Sequence, residues 1–547
     1  MTPQEIPAIL KKYGSLKAAH RAGVAPWVQL QKAHSIAVVN GIIEPQRLGR
    51  KTNAHLKSPV VTVKQRVKSL KTQKDRHHTF ILTSAQNNTK VHLPTWVNLL
   101  ALAKDREAKI YVSTFLYAAR SHWHKNLDKK VKGKDADDND DLWYDDHIVP
   151  FINNERVEIA KGLVWCGELN IMPTAAHPLS GLDVFTGRAS MIVPHTTIAM
   201  DSIATIGGDA KLNYTTGTVT QRNYIQRKAG FMAEFHHCYG ALLVEVDEDG
   251  HWWCRQLNAD SDGTIYDLDT RVKDGEITTG HRAAAITLGD THVEVKDPIV
   301  HAATFGPTGL VETVNPENIF VHDLIDMGRR SHHNVKDPYQ GILAHAKGQE
   351  SVRDVVQQAK DFIAEIADPA RREIVVVNSN HDRHLDRWLT ENDGRRDPVN
   401  ADYWGLLNHW KTDYITRHHA IPDMLLLAIV HDDYQFTERN RTHFLNGNSS
   451  YVICEKFGGG IECALHGDRG ANGSRGSARQ FARMGRRSNV GHSHSARIVQ
   501  GCYQAGTNSD LDLGYNQGLS SWTHSDIITY PNGKRAIITF FNSKWRA

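Results

Sequence analysis

Between residues 281 and 547, short β-branched apolar runs alternate with helical patterns, and each run stops at a polar tip. The runs are AAAITLGD, ENIFVHD, REIVVVNSN, IECALHGD and SNVGHSH. Apolar strands that alternate with helices predict an α/β domain with parallel strands. Open α/β sheets bind ligands at the carboxyl ends of their strands, so the tips matter most. The segment closes with SDIITYPNGKRAIITFF, where Asn532-Gly533 predicts a β-hairpin.

Read singly, a tip such as Asn380-His381-Asp382 is a solvated turn, because Asn and Asp bond locally to backbone. Five tips in one segment are harder to explain that way. They carry Asp290-Thr291-His292, Asp323 with Asp326, Asn380-His381-Asp382, His466, and Gly491-His492-Ser493-His494. Residues i and i+2 of an extended segment project to one side, so Asp290 and His292, or His492 and His494, can reach one point. Carboxylate, imidazole and amide oxygen suit hard or borderline divalent cations, and the lack of cysteine argues against structural zinc.

In order and type these residues resemble the calcineurin-like metallophosphoesterase superfamily, whose pattern is D-x-H, G-D-x-x-D, G-N-H-D/E, H and G-H-x-H. The resemblance covers about the last half of the chain. It implies an αββα sandwich holding two divalent metal ions per chain, with manganese the first expectation and magnesium, iron or zinc the alternatives. One ion would take Asp290, His292, Asp323 and His494. The other would take Asp323, Asn380, His466 and His492, with Asp323 as the bridge. His381 would face the substrate phosphate, Asp382 would orient His381, and Asp326 would lie behind the ligands. Two positions depart from the pattern: His322 and Ser379 stand where it has glycine. A packed histidine and a slightly altered pocket are expected there.

The remaining chain is read more coarsely. At 547 residues it is too long for one core, and three or four domains are expected. Residues 1–46 predict a small all-α module that resembles a helix-turn-helix, with Gly23 turning the chain into a third helix. Residues 47–78 form a basic linker. Residues 79–280 predict a mixed α/β region of unknown function, with a βαβ unit at its start and a hairpin in GALLVEVDEDGHWWCRQL. Residues 125–146 segregate basic from acidic charge and predict a mobile loop. The domain carrying the five tips spans 281–547.

Six cysteines without a C-x-x-C pair indicate neither zinc knuckle nor redox motif. No apolar run is long enough to span a bilayer and the N-terminus does not read as a signal peptide, so a cytoplasmic protein without membrane contact is expected. Homo-oligomerisation stays open. Net charge is only +4, but Arg469, Arg475, Arg479, Arg483, Arg486 and Arg487 all lie between His466 and His492, where they would contact phosphate. Together these features predict a DNase acting on DNA by two-metal chemistry. The combination is similar to nucleases of tailed bacteriophages, including early proteins that degrade host DNA, which would place it in the host cytoplasm. The alternatives are a phosphatase or cyclic-nucleotide phosphodiesterase, or a DNA-binding regulator with a scaffold phosphoesterase domain.

Overall fold

Three apolar runs of the C-terminal half lie side by side as parallel strands, as their composition requires. In the computed structural model, Ala285–Thr287, Asn318–Val321 and Glu373–Val376 pair in order, and Thr442–Phe444 adds a fourth parallel strand. The hairpin Ser525–Thr529 and Arg535–Thr539 completes a six-stranded sheet on the other side. Residues 2–13, 16–26, 29, 30, 33, 68, 69, 78–117, 143–331, 334, 337–514, 516 and 518–547 are described. The chain divides into two compact units, Met1–Arg66 and Val67–Ala547.

Helices connect the parallel strands, and their ends are written in the sequence. Asp297 precedes Pro298–Phe305 and accepts hydrogen bonds from the backbone N–H groups of Ile299 and Val300. Asp423 does the same for Met424–Val430. Such caps stabilise a helix by about 1 kcal/mol each. Val352–Ile366 buries Val352, Val356, Ala359, Phe362, Ile363 and Ile366, the stripe a 3.6-residue period produces. These side chains pack on Ile286, Ile319, Val321, Ile374 and Val376. The opposite face of the sheet, with Ala285, Phe320, Val375 and Val377, packs on Ile453, Ile461 and Cys463. One face therefore meets helices and the other meets strands.

Those strands belong to an eleven-stranded sheet, and the expected boundary near 280 does not divide it. Six of its strands come from residues 68–215 and five from residues 452–504. The two groups join where Met200–Ile203 pairs antiparallel with Arg497–Val499, and the Asp201 carboxylate meets Arg497 Nε at 2.5 Å. Composition changes near 280, but pairing between strands about 300 residues apart leaves no local signal. The expected βαβ unit is present as His78–Gln86, the helix Leu93–Asp105 and Lys109–Phe115. The expected hairpin is Gly240–Val246 with Trp252–Asn258. Both belong to a four-stranded sheet that shares a core with the eleven-stranded one.

In the N-terminal unit, Ile6–Tyr13 and Leu16–Arg21 are helical, and Gly23 turns the chain at φ +76°. Most of the expected third helix lies outside the described residues. So does most of the 47–78 linker, although Lys68–Ser69 is an edge strand of the large sheet rather than a tether. Residues 118–142, the bulk of the charged loop, also lie outside. All six cysteines are unpaired. Among the described residues no helix is long and apolar enough to cross a membrane.

Candidate metal centre

The five tips meet, and they come from two sheets. Asp290, Asp323 and Asn380 follow the three adjacent strands of the six-stranded sheet. His466 and the 491–494 segment follow Ile461–Glu462 and Arg487–Val490, which are parallel neighbours in the eleven-stranded sheet. Strand ends of two facing layers thus deliver ligands to one point.

Asp290, His292, Asp323 and His494 are buried and place one ligand atom each within 4.8 Å of one another. His494 Nε2 lies 3.1 Å from Asp290 Oδ2 and 3.2 Å from His292 Nε2, which is 3.7 Å from Asp323 Oδ2. A second convergence shares Asp323. His466 Nε2 lies 3.3 Å from Asp323 Oδ2 and 3.0 Å from Asn380 Oδ1, and His492 Nδ1 is 3.0 Å from that same amide oxygen. All seven ligand candidates named from the sequence are therefore in one cluster.

The cluster could be a purely hydrogen-bonded network, with protonated imidazoles balancing the carboxylates. Two observations favour a cation. Asp290 Oδ2 and Asp323 Oδ2 are buried and meet imidazole nitrogens at 3.1 Å and 3.3 Å without a well-aligned hydrogen bond, and an under-satisfied buried carboxylate oxygen is costly. The backbone is also strained here. His292, Asp323, His492 and His494 have φ of +45°, +44°, +76° and +54°, a region that non-glycine residues seldom adopt and that gathers at functional sites. These residues fit a divalent cation by donor type and by their unsatisfied oxygens.

With no cation in the cluster, the imidazoles balance the carboxylates. Burial and the Asp323 charge oppose ionisation of Asp290, yet the imidazoles of His494 and His466 hold it down to about 2. Burial likewise opposes ionisation of Asp323, and His466 and His381 hold it well below the usual carboxylate range. Burial works against a charge on His466, but the Asp323 carboxylate lifts it to about 9. His381 behaves alike: burial depresses it, and Asp323 and Asp326 carry it to about 10. A cation at Asp323 would take over much of the compensation these imidazoles supply.

The expected role of Asp382 is corrected. Its Oδ1 accepts the Ile325 N–H at 3.1 Å, and its own N–H donates to Ser379 Oγ. It buttresses the loop rather than His381. Burial, then the Asp323 charge, raises its carboxyl to about 7. The carboxylate beside His381 is Asp326, whose Oδ1 lies 3.0 Å from His381 Nδ1 and 3.6 Å from His292 Nδ1. Ser379, where glycine was the pattern, supplies the hydroxyl that takes the Asp382 N–H. His322 is fully buried, as expected, with Nδ1 3.2 Å from His466 Nδ1.

Glu294 was not singled out from the sequence. It accepts the N–H groups of Asp326 and Met327 at 2.8 Å each and so sets the loop that presents Asp326. Its place four residues after Asp290, continuing the i, i+2 alternation, was the available signal. Arg383 was also missed; it bonds Asn378 Oδ1 at 2.8 Å and pairs with Asp468, tying the third tip to the His466 loop. Asp247, Asp249 and His251 form another acidic group, but Lys544 and turn N–H groups already serve Asp247.

The arginines divide. Arg469, Arg475, Arg479, Arg483 and Arg486 are exposed. Arg487 is not available to a ligand: it donates to the backbone carbonyls of Gly533 and Phe457. That corrects its expected role in binding phosphate to a structural one. Beside His492, a hollow of about 280 Å³ is lined by Gly467, Gly476, Ser477, Arg497 and Ser521 among others.

A pH-dependent stability follows from Asp526, which is fully buried and accepts from Gly289 N–H and Asn508. Burial raises its carboxyl to about 7. The folded chain therefore keeps this proton where the unfolded chain has lost it. The stability it contributes is present below about pH 4 and declines as pH rises toward 7. Asp526→Asn keeps the acceptor and cannot ionise. It should gain thermal stability relative to the parent between pH 4 and 7, read as the difference in melting temperature across that range.

No family model matches the chain, and no solved structure matches it. A curated protein of Escherichia phage T5, "Protein A1", is 36% identical over 483 residues, covering 86% of this chain and 83% of that protein.

Proposed function

The chain belongs to the family of this phage T5 protein, and from that footing we propose that it is a phage-encoded, divalent-metal-dependent phosphodiesterase that cleaves DNA. The reading is carried by one observation: seven ligand-type side chains from five strand ends meet around Asp323. Two divalent cations, one held by Asp290, His292, Asp323 and His494 and the other by Asp323, Asn380, His466 and His492, would supply Lewis acidity and an activated water. The motifs' resemblance to calcineurin-like metallophosphoesterases supports the same chemistry.

The chain's own residues do the rest. His381, beside Asp326, is held as an imidazolium, able to neutralise a phosphate oxygen or protonate the departing one. Asp326 Oδ1 lies 3.0 Å from its Nδ1, an ion pair that favours the charged ring and leaves Nε2–H for the substrate. His292 presents Nε2 to the cluster, with Nδ1 3.6 Å from the same carboxylate. DNA is favoured over a small substrate by the exposed arginines between His466 and His492 and by the basic, helix-turn-helix-like N-terminal segment.

The test is hydrolysis by the purified full chain. With Mn²⁺ or Mg²⁺, linear, circular and single-stranded DNA should be offered alongside a chromogenic phosphodiester and a monoester. Cleavage of DNA and diester that needs added metal and stops with chelator is expected. Turnover of the monoester alone would replace this reading with a phosphatase.

The arginines give a finer prediction. Arg479→Ala with Arg483→Ala should raise KM for DNA several-fold and leave the small diester unchanged, because exposed charge contacts contribute about 0.2–1 kcal/mol each. Arg487→Ala should instead lower stability by about 0.5–1.5 kcal/mol by removing its hydrogen bonds to these partly exposed carbonyls, read from a melting curve. Unchanged DNA kinetics across a salt series would make the basic segment only a solvated face.

A further inference from the structure

His322 stands where the metallophosphoesterase pattern has glycine, and its ring is packed against a ligand rather than against substrate. It is 0% exposed. Its Nδ1 is hydrogen-bonded to His466 Nδ1 at 3.2 Å. The other nitrogen of His466, Nε2, is the one that meets Asp323 Oδ2 and Asn380 Oδ1.

A hydrogen bond between two imidazole nitrogens needs one N–H and one lone pair. If Nε2 of His466 gives its lone pair to a cation, the proton of the neutral ring must sit on Nδ1. The acceptor is then His322 Nδ1, and His322 carries its own proton on Nε2. The Asp290 carboxylate cannot take this role, since its Oδ1 is 4.0 Å from His466 Nδ1. Gly491 makes room for the arrangement: a Cβ there would fall 3.2 Å from His322 Cγ and 2.3 Å from Asp290 Oδ1.

We propose that His322 is a positioning residue, the buried acceptor that fixes the Nδ1–H tautomer of His466 and aims its Nε2 at the cation site shared with Asn380, His492 and Asp323. It acts through His466 and touches no substrate. This inference rests on the metal reading given above. Partners of this kind hold a ligand's ring and tautomer, and their loss typically weakens metal binding about 10–100-fold.

The experiment measures metal binding, not turnover, on the full chain. Zn²⁺ and Mn²⁺ titrations of the parent should reveal two sites. His322→Leu should weaken one site about 10–100-fold and spare the other. His322→Gln, which restores an acceptor oxygen, should recover most of the loss. Parental affinity at both sites in His322→Leu would overturn the proposal while leaving the metal reading intact, and so would a Gln variant no better than Leu. A parent that binds no ion at the cluster would overturn both. Should the Leu variant fail to fold, the Zn²⁺-loaded parent decides, with the Gln variant for assignment. Histidine-selective ¹⁵N spectra, assigned through His322→Gln, should place the His466 proton on Nδ1 and the His322 proton on Nε2. The reverse placement would overturn the proposal.

Discussion

Asp323→Ala is expected to remove at least one bound cation and to cut phosphodiester hydrolysis by about 10³-fold or more, the scale seen when a group acting as part of a unit is lost. Asp323 Oδ2 is the atom both ligand groups share, so its loss disturbs both. Its Oδ1 also accepts the backbone N–H of His381 at 3.3 Å, so the substitution loosens the loop that carries the general-acid candidate too. Asp323→Asn is the informative companion. Asn adopts positive φ readily, which the +44° at this position requires, so it preserves the loop while removing the charge. Metal content by elemental analysis and initial rates on a chromogenic diester would both be measured. The Asn variant should fall with the Ala variant in activity while melting near the parent. An Asn variant with parental metal content and parental rate would mean that Asp323 is no bridge.

The second large effect separates chemistry from metal binding. His381→Ala should lower kcat by about 10²–10⁴-fold, the usual contribution of a positioned acid, with metal content unchanged. Asp326→Asn should act more subtly. His381 must be protonated to act, so activity falls as pH rises through its pKa. Burial depresses that pKa, and the Asp323 and Asp326 carboxylates raise it, Asp323 the less once a cation shares its charge. Removing the Asp326 charge should therefore move the alkaline limb of the kcat profile to lower pH, while Asp382→Asn, whose carboxylate bonds Ile325 instead, should leave that limb in place. A pH profile that shifts with Asp382→Asn and not with Asp326→Asn would reverse the assignment.

What could be read from sequence follows from what was local. The apolar runs specified strands, and the tips specified ligand atoms, because both depend on neighbouring residues. The partition into two sheets was not legible: IECALHGD and REIVVVNSN look alike, yet one ends in the eleven-stranded sheet and the other in the six-stranded one. The pairing of Asp201 with Arg497 joins regions that composition separates. Asp382 adjoins His381 in sequence, so it looked like the natural partner, but a chain turning out of a strand points adjacent side chains apart. Arg487 looked like its neighbours, and the carbonyls of Phe457 and Gly533, both distant in sequence, show it to be engaged. The positive φ values at four ligands have no sequence signature, since none of the four is glycine.

The claim that underlies everything above is a two-cation centre around Asp323. Crystals of the full chain grown with Mn²⁺ and measured at the manganese absorption edge test it most directly. The account predicts two anomalous peaks, one among Asp290, His292 and His494 and one among Asn380, His466 and His492, with Asp323 between them. Crystals of the active enzyme with no anomalous density in this cluster, or with density only elsewhere on the chain, would contradict it.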